Sequence, residues 1–136
     1  MGYTLTLRND VQEVPLLATF IETISEENDI DMMESMNINL AVEEAVANVM
    51  KYAYPTGTVG EVRIDASVAD GLLTITITDS GTPFDPTQKE DPDINLPAEE
   101  RPIGGLGILL VKQIMDAVTY QYAEGKNILT LVKKLN

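Results

Sequence analysis

The alternation of apolar and polar positions divides the chain into strands and helices. Tyr3, Leu5 and Leu7 alternate with Thr4, Thr6 and Arg8, which predicts a strand over residues 3–8. Asn9-Asp10 is a helix-start signal with Glu13 at capping-box spacing, but Pro15 sets the start of the regular helix near itself. Leu16, Leu17, Phe20, Ile21 and Ile24 form one apolar face, closed by the acidic run Ser25-Glu26-Glu27-Asn28-Asp29. Met32, Met33 and Met36 lead into a second, central helix, and their adaptable side chains are expected to fill the core. In that helix Ile38, Ala41, Val42, Ala45, Val46, Val49 and Ala53 share one broad face at about 100° per residue. Pro55-Thr56-Gly57 closes it.

Two alternating segments follow, 59–69 and 72–79, joined by the hairpin signal Asp70-Gly71. The period of two puts Leu73, Ile75, Ile77 and Asp79 on one face, so a carboxylate arrives from the apolar side at the strand end. Such a carboxylate needs a donor. It is either the cap of a turn or a ligand group. Residues 82–103 lose apolar periodicity and hold five of the seven prolines. A stretch of this kind inside a compact domain reads as a mobile lid, placed at about 83–103. Gly104, Gly105 and Gly107 then open a helix of about 105–117. Val118–Ala123 and Ile128–Leu135 form a last hairpin, turning at Glu124-Gly125-Lys126-Asn127. The expected fold is a two-layer α/β sandwich, with a mixed, mostly antiparallel sheet covered on one face by helices. One domain is expected across 1–136, with no internal repeat.

Beside the core face of the central helix runs a polar row, Glu44, Asn48 and Lys51, at i, i+4 and i+7. It is either a solvated helix edge or a row of ligand groups. The glycines of 104–107 leave backbone N–H groups at a helix start open to an anion, or they act as a hinge for the lid. They lack the Lys-Ser/Thr of a P-loop, and no βαβ strand precedes them.

Taken in order, Glu44-x-x-x-Asn48, Asp79-x-Gly81 and Gly105-x-Gly107 resemble the three boxes of the histidine-kinase-like (GHKL) ATP-binding domain, which has the Bergerat fold. Within that family the chain most resembles the small anti-sigma-factor serine/threonine kinases, over nearly its whole length. The resemblance implies ATP with Mg2+ as cofactors. It implies that Asp79 accepts from the adenine amine beside Gly81. It implies that Gly104, Gly105 and Gly107 cradle phosphates and that Asn48 supplies an oxygen to the metal. In that family the Glu four residues before the Asn is the general base. Glu44 lies ~40° from Asn48 around the axis and Glu43 ~140°, so the role falls to Glu44. Lys51 resembles a basic residue of histidine kinases that reaches phosphate, and Arg101, just before the glycines, is a second phosphate candidate. The sequence departs from the family at Pro83, where a second glycine is common, and at Lys126-Asn127, where Gly-Thr is common; Asn127 is a candidate for that polar contact. The implied function is an anti-sigma regulatory kinase. It would phosphorylate a STAS-type antagonist and sequester a sigma factor or other regulator; a homodimer is compatible. The rival reading is a nucleotide-dependent protein-binding switch without phosphotransfer.

Composition narrows the classes further. The net charge of −13 argues against nucleic acid or an anionic membrane as the main partner. Cysteine and histidine are both absent. That removes a disulfide framework, a thiol nucleophile and imidazole catalysis, leaving a carboxylate as the expected base. The sequence has no long apolar run; neither a transmembrane helix nor a signal peptide is expected, and a cytoplasmic address is.

Overall fold

The computed structural model describes residues 2–55, 57–88 and 105–135. Five strands form one sheet: β1 (Gly2–Arg8), β2 (Glu61–Ala69), β3 (Leu72–Asp79), β4 (Ala117–Ala123) and β5 (Lys126–Lys134). Their spatial order is β1-β2-β3-β5-β4, and all four pairings are antiparallel. Three helices accompany it: α1 (Leu16–Glu27), α2 (Met32–Tyr52) and α3 (Gly105–Ile114). On β3, buried Leu73, Ile75, Ile77 and Asp79 alternate with half-buried threonines, so one face of the sheet carries the core and the other does not. All seven residues assigned to the core face of the central helix are buried.

The helix ends follow from local chemistry. A short 3-10 turn at Val11–Glu13 precedes α1, with Asp10 accepting from the Gln12 N–H and Glu13 from the Arg8 N–H. The chain cannot propagate a regular helix through Pro15, and α1 begins one residue later. α2 begins earlier than the apolar pattern suggests. Asp31 accepts from the Glu34 N–H at 2.9 Å, so the N-cap lies before the methionines. The methionines do not fill the core. Met32, Met33 and Met36 are 79%, 71% and 62% exposed.

Both tight hairpins turn on two residues with positive φ, Asp70-Gly71 (52° and 75°) and Glu124-Gly125 (54° and 78°). The second turn is two residues shorter than the pattern predicts. Lys126 and Asn127 therefore belong to β5, and the register brings Asn127 opposite Asp79. α3 stops at Ile114, since Asp116 donates its N–H to Val132 O and the chain enters β4 at once. No described helix is long and apolar enough to cross a membrane.

Candidate functional site

The site gathers where the C-terminal half of α2 meets the end of β3. Asp79 is 3% exposed. Its Oδ1 accepts from the Gly81 N–H at 2.8 Å and from Asn127 Nδ2 at 2.9 Å. Its Oδ2 is buried and has no hydrogen-bond partner among the described residues. The two readings of the sequence are thus divided between two atoms. One oxygen caps the turn, and the other is left unpaired, in a setting where an unmade hydrogen bond costs about 1–3 kcal/mol. Asn48, also buried, has an unpaired Oδ1 as well. Glu44, one helical turn before it, is half-buried, and Lys51 is exposed with its Nζ 5.7 Å from the centre of the Tyr52 ring.

Glu43 lies on another side of α2. It accepts from Asn39 Nδ2 at 3.2 Å, and Asn39 is about 180° around the axis from Asn48. Asn39 Oδ1 is a third buried, unpaired oxygen among the described residues, and it is remote from this row.

Gly81 serves a purpose the sequence reading did not anticipate. A Cβ there would meet the carbonyl oxygen of Ala53 at 2.3 Å and its carbon at 2.8 Å. Its bareness lets the Asp79–Thr82 loop press against the end of α2. Thr82 then satisfies the same carbonyl twice, through its N–H at 2.7 Å and its Oγ1 at 3.0 Å. Tyr54 adds a second fastening, donating to Glu61 O at 2.7 Å and accepting from the Ser80 N–H at 3.1 Å.

Asn127 is the residue most underrated by sequence. Its Nδ2 donates to Asp79 and to Thr82 O, both at 2.9 Å. Its Oδ1 accepts from the Phe84 N–H at 2.9 Å and from the Tyr120 hydroxyl. With these four bonds the side chain joins β5 to the loop that leaves β3. Phe84 also stacks on Tyr52, ring centres 5.3 Å apart. Thr87 donates twice to Asp85 Oδ1, at 2.9 and 2.5 Å, and Lys112 of α3 donates to Thr87 O at 3.4 Å. Arg101, Gly104 and the lid beyond Gln88 lie outside the described residues. Gly105 and Gly107 sit in the first turn of α3.

Burial raises the Asp79 carboxyl above its ordinary 3.8, and the bonds from Asn127 and Gly81 pull it part of the way back. The folded state therefore holds this proton more tightly than the unfolded chain does. The carboxyl's contribution to stability is largest when protonated, and it declines as pH climbs from 3.8 through the raised folded value. Asp79→Asn cannot lose that proton. Urea unfolding of both proteins between about pH 4 and 7 should show the variant gaining on wild type as pH rises. A constant difference would contradict the inverted titration.

A protein-family model described as the histidine kinase-like ATPase domain matches residues 7–133, nearly the whole chain. The chain belongs to the histidine kinase-like ATPase domain family. Among individual members it is similar to the serine-protein kinase RsbW of Listeria monocytogenes, 33% identical over 104 residues. That match covers 74% of this chain and 66% of the kinase. It is similar also to the serine-protein kinase RsbW of Bacillus cereus, 36% identical over 103 residues, covering 73% of this chain and 62% of the kinase. The matched part of the chain thus spans slightly under two thirds of the length of these kinases.

Among solved structures, this family member superposes on the RsbU and RsbW domains of Rv1364c from Mycobacterium tuberculosis with a TM-score of 0.71 at 17% identity. That match covers 99% of this chain and 32% of the other. The histidine kinase domain of the Erythrobacter litoralis EL346 blue-light activated kinase gives 0.57 at 19% identity, covering 92% and 60%. At such identities the likeness concerns the fold alone.

Proposed function

We propose that the chain binds MgATP and acts as a serine/threonine protein kinase of the anti-sigma regulatory type. The observation that carries the nucleotide reading is the unpaired, buried Oδ2 of Asp79. An acceptor held in an apolar setting by two fixed donors is matched to an exocyclic amine, as on adenine, and mismatched to the oxygen guanine carries there. The unpaired Asn48 Oδ1 is the complementary group for a hard cation. Among the described residues no group of three or more carboxylates is placed to hold a metal ion. A magnesium ion here would therefore take Asn48 together with phosphate oxygens and waters. The bound ion would neutralise charge on the transferring phosphoryl group.

Glu44 then has the role of drawing the proton from the acceptor hydroxyl. Lys51, Arg101 and the glycines at 104, 105 and 107 are assigned to the phosphates. By the resemblance of its motifs to those of the anti-sigma-factor kinases, the acceptor is a serine or threonine of a STAS-type antagonist, and the sequestered partner is a sigma factor or another regulator. The domain works in the cytoplasm, alone or as a homodimer.

Titration calorimetry with ATP and GTP tests the first step. Wild type should prefer ATP, and Asp79→Asn should lose about 1–3 kcal/mol of ATP affinity together with much of the preference. Equal affinity for the two nucleotides in wild type would remove Asp79 from base recognition.

A further inference from the structure

We infer that the cleft between the C-terminal half of α1 and the first turns of α2 is a docking site for a basic amphipathic helix of another protein. The cleft has a volume of about 580 Å3 and is lined by Glu22, Glu26, Ile30, Met32 and Met36, with Ser25 and Ser35 at its base. It is preformed. Ser25 Oγ and Ser35 Oγ are hydrogen-bonded at 2.7 Å, and the turn between the helices is closed by the Ile30 N–H on Ser25 O at 3.0 Å. The Asn28 side chain donates to Ile24 O at 2.8 Å and fixes the end of α1.

Two features select the occupant. The first is the methionines. Three of the six in the chain stand exposed on this one turn and a half of helix, and two of them, Met32 and Met36, line the cleft. Unbranched thioethers adapt to a partner's apolar side chains at low cost, which is how methionine-lined grooves receive helices. The second is charge. From the start of α1 to the end of α2, residues 16–52 hold eight of the 22 acidic residues and one of the nine basic ones, Lys51, so this helical pair carries −7 of the net −13. Glu22 and Glu26 rim the cleft directly, and Asp29, Asp31 and Glu34 follow around the turn.

A second copy of this chain would bring the same acidic rim against itself in an isologous contact, where like charges oppose association. Anionic lipid and nucleic acid are disfavoured for the same reason. A helix with leucine-like residues on one face and lysine or arginine beside it satisfies both features. The cleft lies about 18–24 Å along α2 from Asn48, so docking there leaves the candidate nucleotide site open. The inference does not depend on the kinase reading.

The test uses a synthetic leucine–lysine peptide patterned as an amphipathic helix, beside a scrambled peptide of identical composition. Affinity is read by fluorescence anisotropy and the location by backbone amide shifts. The patterned peptide should bind with shifts concentrated over residues 22–36, and the scrambled peptide should bind at least about tenfold more weakly. The double substitution Met32→Ser/Met36→Ser should weaken binding about tenfold, while Met33→Ser, outside the cleft lining, should not. Glu22→Lys/Glu26→Lys should weaken it too and flatten its salt dependence, which gives a second route if the serine variant is unstable.

No binding of the patterned peptide overturns the inference. So does equal binding of the scrambled one, or affinity unchanged in both double variants, since only the diffuse field of an acidic chain then remains. Self-association of wild type in sedimentation, lost in the methionine variant, would assign the cleft to a second copy and overturn it equally.

Discussion

Glu44→Gln should lower phosphotransfer by about two to four orders of magnitude while leaving MgATP affinity nearly intact. A general base acts on the acceptor's proton and contributes little to holding the nucleotide, and glutamine preserves the side chain's volume. Two neighbours on the same helix serve as controls. Glu43→Gln should change neither quantity, since Glu43 is engaged with Asn39 on another side of α2. Asn48→Ala should weaken magnesium-dependent binding, because it removes the unpaired oxygen rather than a base. The assay is labelled-phosphate transfer to a STAS-type acceptor, run beside nucleotide titrations. Wild type that binds nucleotide and partner but never labels the partner would make the chain a nucleotide-dependent binding switch. Loss of transfer in the Glu43 variant, with Glu44→Gln active, would reverse the assignment of the two carboxylates.

The second large effect belongs to Gly81→Ala. The added Cβ would meet Ala53 O at 2.3 Å, and the obstacle is backbone, which cannot rotate out of the way. The loop has to lift from the end of α2. Lifting strains both Thr82 contacts to the Ala53 carbonyl and disturbs the turn in which Asp79 caps the Gly81 N–H. Overpacking of this kind costs about 1–3 kcal/mol, and each hydrogen bond lost adds about 1 kcal/mol. Thermal and urea unfolding should show this loss, together with weakened ATP binding. Gly71→Ala makes an informative contrast. Nothing lies within 4 Å of a Cβ there, so its penalty comes from a φ of 75° alone and should leave nucleotide binding untouched. Wild-type stability in Gly81→Ala would mean that the loop does not rest on the helix as described.

Both predictions rest on features the sequence makes legible to different degrees. The core face of α2 was readable because periodicity and burial coincide over a long helix, and the inward arrival of Asp79 follows from strand alternation in the same way. Helix geometry could separate Glu44 from Glu43, since that needs only the angle per residue. The partners of Asp79 were not readable. Asn127 lies 48 residues away, and its place opposite Asp79 depends on whether the last hairpin turns on two residues or four. Glu124-Gly125, a two-residue turn pair, was the signal available for the shorter turn. The purpose of Gly81 was hidden for a related reason, because the carbonyl it accommodates belongs to a distant helix end. The methionines misled because apolar residues at helical spacing usually mean burial. Asp31, with Glu34 three residues on, was the local sign that the helix starts before the core does.

The sheet register has a practical consequence for handling the molecule. Gly2 pairs with Ser67, and Lys134 pairs with Leu72, so both residues lie at the end of the sheet that carries the Asp70-Gly71 turn. Asp79 lies at the other end of β3, roughly 23 Å away at the rise of an extended strand. A biotin carried on a cysteine introduced at Gly2 or Lys134 would anchor the molecule with Asp79 and Asn48 turned outward. Real-time binding on a sensor chip would then sample an unobstructed site, whichever of the two positions is tethered.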